Sequence, residues 1–507
     1  MRVRRRILQD ISGYLPSTYV AQAADLLIAI LTRRFLGPPM MGVWAFCQVL
    51  INYAKYTSLG GTDGAVKEIP YYMARGNQAM AETIQNVVFT LTTLTALVLG
   101  FGIFAAAWIF RSQCSVEVFW GLISVSFLIV LQRIHALLIS FLRVRKDFTL
   151  ISKQFIVSSA VNGFLVLLLA SRFQLYGYLV AVILTHLMVI GYVQGVKRFP
   201  LRFSFERKKV APSLRLGFPL MVWTGLILLF SSMDKLVMSW WLGLHALGLY
   251  SLALMAHHYL FNLPNQIGVV LFPYSQEHYQ KQLPSEGLTK YVLTPMTVLC
   301  AVMPIAIGLT WLAAPVLTAW VLPQFLGGVR ALQILILGTF FLSLYYQPLH
   351  FLITTHRLRS LLVIGCSMIA VNFVLNRSFV GLGWGINGVA AATAISYFLY
   401  FCAVFFIVGE LHLNRGMARK AFSRVLGIFL YFSFLLWTLH RWVRVPGSLV
   451  GSLFCQIVVY LLGMIPLILW MNRKTDLFAE LRSVFAQPPP LEFRETALVT
   501  EEGVSEA

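Results

Sequence analysis

Apolar runs long enough to cross a bilayer recur from one end of the chain to the other. A helix needs about 20 mostly apolar residues to span a hydrocarbon core of about 30 Å. Inside that core only helices and closed barrels satisfy their own backbone polar groups, and these runs are too long for barrel strands. The sequence predicts fourteen spans, at 13–32, 40–61, 85–110, 118–142, 149–170, 175–194, 214–236, 245–271, 291–316, 331–354, 360–379, 385–408, 421–439 and 447–471. The short connections leave no room for a large extramembrane domain. Hydrophobic residues make up 58% of the chain and charged residues 12%, against roughly 45–50% and about 25% in a soluble globular protein. That balance excludes a soluble enzyme, a disordered protein and a nucleic-acid binder. The expected fold class is an all-α polytopic membrane protein.

The few charges are placed rather than scattered. The net charge is +21, from 40 Lys plus Arg against 19 Asp plus Glu. With the N-terminus in the cytoplasm, 27 of the 40 basic residues fall on the cytoplasmic side and 8 on the other. By the positive-inside rule this predicts both termini inside and an even number of spans. Met1–Arg6 looks like the start of a signal peptide. Asp10, Pro16, Gln22 and Asp25 interrupt the apolar run that follows, so an uncleaved first span is expected. The six cysteines show no CxxC or Cys/His ligand spacing and read as free thiols, with no metal site and no cofactor. The tail 472–507, with Pro488–Pro490 and a late acidic cluster, reads as a disordered cytoplasmic end.

The chain also resembles itself. Leu36-Gly37-Pro38-Pro39-Met40-Met41-Gly42-Val43-Trp44 matches Leu242-Gly243-Leu244-His245-Ala246-Leu247-Gly248-Leu249-Tyr250, at an offset of 206. Pro70-Tyr71 parallels Pro273-Tyr274, and Phe141-Leu142 parallels Phe351-Leu352. Ala160-Val161-Asn162 parallels Ala370-Val371-Asn372, and Gly177–Ala181 parallels Gly388–Ala392. The matches keep one order and a nearly constant offset. A unit of six spans is even, so both copies point the same way, a parallel repeat about an axis along the membrane normal. The expected organisation is a six-helix bundle at 1–196, a basic linker at 197–213, a second bundle at 214–412, two additional spans within 413–471 and the tail. Two such bundles would enclose a central cavity.

Polar residues within spans mark the faces turned to that cavity. Thr18, Gln22 and Asp25 share one side of the first span, and Gln48, Asn52 and Lys55 one side of the second. Thr224, Ser231 and Lys235, with Asp234 beside them, line the seventh; Ser251, Met255, His258, Asn262 and Gln266 line the eighth. Ser126, Arg133 and Ser140 mark the fourth span, and Thr339, Ser343, Gln347, His350 and Thr354 the tenth. Spans 13 and 14 carry almost no stripe and are expected to face lipid. A mid-span arginine costs about 2.5–3.5 kcal/mol even on the lenient insertion scale. Arg133 is therefore either an anion-binding cation in a wet cavity or the partner of an intramembrane carboxylate such as Asp25. Lys55 reads equally well as a second cation or as a snorkelling helix-end lysine. The substrate-binding candidates are Gln22, Gln48, Asn52, Lys55, Arg133, His258, Asn262 and Gln347. Asp25 and Asp234 are candidates for a coupled ion or proton, and no residue reads as catalytic. Asp234 beside Lys235 also reads as a helix-end pair near the outer surface.

The turn and its stripes resemble the oligosaccharide flippases of the multidrug/oligosaccharidyl-lipid/polysaccharide exporter superfamily. Residues 33–45, Arg-Arg-Phe-Leu-Gly-Pro-Pro-Met-Met-Gly-Val-Trp-Ala, resemble the start of Wzx-type polysaccharide transporters. Asp234-Lys235 with the turn at 242–250 resembles their second half, and Gly385–Tyr397 their twelfth span. The resemblance covers roughly 1–410. It implies two bundles in a V and an undecaprenyl-diphosphate-linked oligosaccharide (a repeat unit of O-antigen, capsule or exopolysaccharide). It implies alternating access in the bacterial inner membrane. It also implies a monomer that works beside a polysaccharide polymerase and chain-length machinery. Fourteen spans rather than the twelve common in Wzx-type members are closer to lipid II flippases. An ion-coupled drug/cation antiporter of the same superfamily remains an alternative. An integral membrane glycosyltransferase is disfavoured, because the outer loops offer little carboxylate beyond Glu117. No G-x4-G-K-[ST] motif is present, so transport without ATP is expected.

Overall fold

The computed structural model describes residues 2–204, 207–280, 285–355, 357–412, 415–443 and 449–475, with side chains from residue 22 onward except at 63, 67, 207–214, 216, 220, 269–280, 285–291, 358, 411–412, 415 and 475. Thr18 and Pro16 as side chains, and the tail from 476, lie outside the described residues. Among those described there is no strand. The helices are α1 (Arg2–Tyr53), α2 (Gly61–Ala74), α3 (Gln78–Ile109), α4 (Val116–Val144), α5 (Phe148–Leu165), α6 (Ser171–Val196), α7 (Arg207–Trp241) and α8 (Gly243–Gln280). They continue with α9 (Ser285–Val321), α10 (Val329–Thr354), α11 (Leu358–Gly381), α12 (Gly385–His412), α13 (Arg415–Trp442) and α14 (Leu449–Thr475). Eleven segments among the described residues are long and apolar enough to cross a membrane. Two of them, Gln22–Ser58 and Phe148–Val196, are 37 and 49 residues long and contain a break each.

Local sequence explains where these helices start and bend. The side chains of Asn77, Ser115 and Asp147 accept from the amides of Met80, Val118 and Leu150 at 3.0, 3.4 and 3.2 Å, capping α3, α4 and α5. In α1 the break is Gly37, at φ 66 and ψ 174, a conformation an L side chain rarely adopts. It divides α1 into the two expected spans 13–32 and 40–61. The second ends earlier than expected: a 3-10 turn at Ala54–Ser58 leads through Leu59 and Gly60, both at positive φ, into the short helix α2. Residues 61–74 follow the second expected span and carry no span of their own. They are helical because Ala65 and Ile69, four apart, bury one face against the cluster of Ile84, Val88, Leu138, Phe141 and Leu142.

Helices α3–α6 interlock with one another and with α1, and α8 interlocks with α9, α10 and, through α10, with α12 and α11. Helices α13 and α14 pack on α9. Their outer faces carry Leu430, Phe434, Trp437, Phe454 and Leu462, all exposed, as expected of lipid-facing helices. Tyr460 anchors α14 by donating its hydroxyl to the Pro304 carbonyl at 2.8 Å.

The two turns matched in sequence meet each other. A Cβ added to Gly42 would fall on the Leu244 carbonyl, and one added to Gly248 would fall on the Pro38 carbonyl. Pro38 and Leu244, like Gly42 and Gly248, stand 206 residues apart. Each glycine thus meets the other turn at the equivalent position. Close backbone approach of this kind is how small residues join helices in lipid, where no hydrophobic force drives helices together. A second backbone contact, Gly60 against Gly217, joins the start of α2 to α7.

Substituting Gly42 by Leu is expected to cost more than the ~1–3 kcal/mol of ordinary overpacking, because the obstacle is backbone. Cys47, buried one turn further along α1, reports the opening. Peptide-resolved thiol labelling is expected to modify it slowly in the native protein and rapidly in Gly42→Leu.

At one membrane edge the Lys197 ammonium meets the Asp147 carboxylate at 2.6 Å. Partial burial pushes the Asp147 carboxyl up, but the Lys197 hydrogen bond, the Leu150 amide and the charges of Lys197 and Lys153 outweigh it, so it titrates below its ordinary 3.8. A carboxyl held low stabilises the fold above the unfolded-state value, and this contribution disappears as the pH falls through the folded one. Both side chains are about a quarter to a third exposed, so the ion pair is worth ~0.2–1 kcal/mol. Asp147→Asn, which keeps a capping oxygen, is expected to lower stability by about 0.5 kcal/mol at pH 7. Asp147→Ala loses the cap as well, a further ~1 kcal/mol. Melting curves in detergent from pH 7 downward check this: the gap between native and Asp147→Asn proteins should narrow as the pH falls below 3.8.

Candidate functional site

Arg133 lies on α4 and is 8% exposed. Its guanidinium donates to the Ser58 hydroxyl at 3.3 Å and the Thr62 hydroxyl at 3.5 Å. Both acceptors belong to the turn from α1 into α2, where Lys55 also sits, exposed and close enough for its charge to act on Arg133. Two like charges so near each other repel, which makes an anion beside them favourable. The carboxylate offered from sequence as an alternative partner is engaged elsewhere: Asp25 accepts from the Ser159 hydroxyl at 2.8 Å.

The faces of α1, α7 and α8 form a polar seam beside this pair. Gln48 and His258 are exposed, and Gln22, Asn52 and Asn262 are half-buried. Asp25 is exposed on α1, and Tyr259 of α8 lies within electrostatic reach of it. The Tyr53 and Ser232 hydroxyls share a hydrogen bond of 2.7 Å, and Tyr56 donates to the Thr224 carbonyl at 2.8 Å. His258 faces the charge of Lys235, and Asn262 accepts from Gln266 at 3.3 Å.

Gln347 is placed differently from its companions. It is 3% exposed, and Thr339, Ser343 and Thr354 of the same stripe are fully buried. Their hydroxyls donate to the carbonyls of Leu335, Phe340 and His350 in their own helix, at 3.1, 2.6 and 2.9 Å. A hydroxyl satisfied this way needs no water. The stripe of α10 is therefore packed between α8 and α12 rather than turned to a cavity. His257, on the neighbouring face of α8, joins it through a 2.8 Å contact between Nδ1 and the Thr339 hydroxyl.

Asp234 is not a surface helix-end residue: it is 3% exposed, and its carboxylate accepts from the Lys235 amide at 2.7 Å. Tyr250 and Tyr397 lie against it. Its helix α7 packs on α11 and α12, which carry a buried polar network. There Asn372 donates to Ser396 at 3.0 Å, and Asn376 donates to both oxygens of Asn372 at 2.9 Å. The Asn376 side-chain carbonyl oxygen is buried with no hydrogen-bond partner among the described residues, and the Thr393 hydroxyl lies against Tyr250.

Three features escaped the sequence reading. Arg33, counted among outer-loop charges, is 6% exposed and donates to the carbonyls of Ala29 and Ser251 at 3.0 and 2.9 Å, tying α1 to α8. Beside it, Arg34, Trp320 and Gln324 line a cavity of about 230 Å³. In the N-terminal half His135 contacts Gln154 at 3.0 Å and stacks edge-on against His186. Only the Asn372-x3-Asn376 spacing was available as a signal; the other partners lie in different helices.

Comparison with known proteins adds three findings. A family model described as polysaccharide biosynthesis protein matches residues 7–278. An uncharacterised membrane protein of Methanocaldococcus jannaschii, MJ1068, is 22% identical over 468 residues, 85% of this chain and 89% of that one. The fold is shared with the lipid II flippase MurJ in an inward closed conformation, with a TM-score of 0.68, 16% identity and coverage of 91% of this chain and 99% of that one. It is shared too with an inward-facing multidrug resistance transporter of the MATE family and MOP superfamily, with a TM-score of 0.63, 15% identity and coverage of 79% and 96%.

Thiol chemistry checks the seam. Cysteines replacing Gln48 or His258 are expected to react with a water-soluble maleimide in membranes, and a cysteine at Gln347 to stay unreactive. Equal labelling at all three positions would show that α10 faces the same water-filled space.

Proposed function

Because this chain belongs to the polysaccharide biosynthesis protein family, we propose that it is a flippase that moves a lipid-linked oligosaccharide diphosphate across the bacterial inner membrane. The observation that carries this reading is the pairing of Arg133 with Lys55, ringed by hydroxyls from Ser58 and Thr62. The pair suits a diphosphate, and the amides and hydroxyls of Gln22, Gln48, Asn52 and Asn262 suit a sugar. Undecaprenyl diphosphate is the carrier that the family resemblance implies.

We read the chain as fourteen passes. Gln22–Ser58 and Phe148–Val196 each hold two, and α8 supplies one beyond the eleven apolar segments. The 27 basic residues on one side support both termini in the cytoplasm by the positive-inside rule. The reciprocal contact of Gly42 and Gly248 supports two parallel copies that rock about this seam. A membrane potential negative inside favours outward movement of an anion by ~2.3 kcal/mol per charge per 100 mV. Buried Asp234 and exposed Asp25 are the groups through which an ion or proton would be coupled. The same carboxylates favour a second reading, a cation/drug antiporter, for which Arg133 and Lys55 would be dispensable.

The two readings part in one experiment. In a strain lacking this chain, a lipid-linked oligosaccharide is expected to accumulate in the inner leaflet. The native chain should clear it, and Arg133→Ala with Lys55→Ala should reduce clearance at least tenfold, a loss of ~1.4 kcal/mol or more in substrate or transition-state binding. Full clearance by the double variant at normal protein levels would overturn the anion-binding role. Absence of accumulation together with drug sensitivity would favour the antiporter.

A further inference from the structure

The cavity of about 230 Å³ beside Arg33 and Arg34 has walls from both halves of the chain. The two arginines stand on α1, just before the bend at Gly37. The opposite wall is the end of α9 and the 3-10 turn Pro323–Gly328, with Trp320 and Gln324. Gln324 packs onto the bend: a Cβ added to Gly37 would lie 2.6 Å from its side-chain oxygen. Arg34, Trp320 and Gln324 are exposed, so the cavity opens to the surface. The space is ample for a phosphate group, since about 10–15 Å³ already admits a water.

The charge on Arg33 is buried and uncompensated. Its guanidinium donates to two neutral groups, the carbonyls of Ala29 and Ser251. Its Nε is buried with no hydrogen-bond partner among the described residues. No carboxylate lines the cavity, and among the described residues the one ion pair is Lys197 with Asp147. Asp25, the nearest acid earlier on α1, lies ~12 Å back along the helix, at about 1.5 Å per residue, and accepts from Ser159. A buried cation without a counter-charge is strongly unfavourable. Arg34 adds a second positive charge to the same cavity, and two like charges there favour an anion between them.

We propose that this cavity binds a phosphate-class oxyanion, held by the Arg34 guanidinium of one half and the Gln324 amide of the other, with the Arg33 charge beside them. Arginine suits this ligand because its planar fork matches the geometry of phosphate oxygens. Bound there, the anion ties α1 at its bend to the second half and reinforces the clasp of Arg33 on the Ser251 carbonyl. There is one such site per chain: Ser239 and Trp240 stand 206 residues after Arg33 and Arg34, so the second copy of the turn carries neither cation. Lys55 and the Ser58 contact of Arg133 lie at the opposite end of the second half of α1. The topology read above places the cavity at the outer edge of the membrane, and only the side of the membrane rests on that reading.

The test uses the purified full-length chain in dodecyl maltoside micelles, which carry no phosphate. Inorganic phosphate and phosphatidylglycerol are titrated separately at constant ionic strength, and hydrogen exchange is followed in peptides covering 33–37 and 320–328. A single saturable site is expected, and its filling should slow exchange in both peptides, one from each half. Saturation by inorganic phosphate assigns a soluble oxyanion, and saturation by phosphatidylglycerol alone assigns a lipid headgroup. Arg34→Ala and Gln324→Ala, both at exposed positions, should each weaken the effect about tenfold, as loss of a hydrogen bond to a charged group does. Failure of both ligands to slow exchange, slowing in only one of the two peptides, an equal effect of sodium chloride, or native behaviour in both variants would overturn the proposal. Arg133→Ala with Lys55→Ala separates this site from the seam. The slowing should persist in that double variant whether or not it still flips a substrate, and its loss there would put the anion at the seam and overturn the outer site.

Discussion

Water is absent from the hydrocarbon core, and almost everything in this molecule follows from that absence. Each peptide group must find its partner within its own segment, so the described residues are helical throughout and carry no strand. The same demand falls on side chains. Thr32, Thr185, Thr339, Ser343 and Thr354 donate to carbonyls three or four residues back in their own helices. This lets hydroxyls sit in an apolar interior without a cavity or a partner helix. A polar residue in a span is therefore of two kinds: one that satisfies itself locally, as Ser343 does, and one that cannot, as Arg133 cannot. Only the second kind must be met by other parts of the fold, and those meetings form the candidate site.

Lipid also removes the hydrophobic effect as a force between helices, so the halves of the chain are held by close contact. The Gly42–Gly248 approach brings backbone to backbone, and Arg33 adds a charged clasp from α1 to the Ser251 carbonyl beside it. At the other end of the second half of α1, Tyr53 and Tyr56 reach α7, and Gly60 touches Gly217. This part of α1 is thus pinned to the partner half at both ends, with the bend at Gly37 just before it. Arg133 and Lys55 stand next to the second of these clasps. Asp234 is buried on α7 against Tyr250 and Tyr397.

Much of the architecture was legible in the linear pattern because bilayer thickness acts on each segment separately. Apolar runs of the required length located the helices α3 to α14, with ends that differ by up to nine residues. The turn repeat identified the two glycines that meet. The exposed members of the stripes on α1 and α8, Gln48 and His258, were recognised by spacing alone. The pattern failed where a polar residue had more than one way to be satisfied. Thr339, Ser343 and Gln347 read as cavity-lining and are buried. Arg33 read as a loop charge and is a buried clasp. Residues 61–74 carry no apolar run of membrane length, and Ala65 and Ile69 gain from being helical only when the cluster on α3 and α4 is there to cover them.

The sequence by itself determined an all-α membrane chain, the sense of its charge and its internal likeness. Each of these depends on composition and period over twenty residues or so, quantities that exist before folding. Tertiary structure alone decided which polar groups are partners. It set Lys55 beside Arg133, gave Asp25 to Ser159, buried Asp234 and opened a cavity between Arg34 and Gln324. Those pairings join positions as far apart as Asp25 and Ser159, 134 residues along the chain. Which of the available groups meets a buried charge depends on how helices pack side by side, and no local period records that.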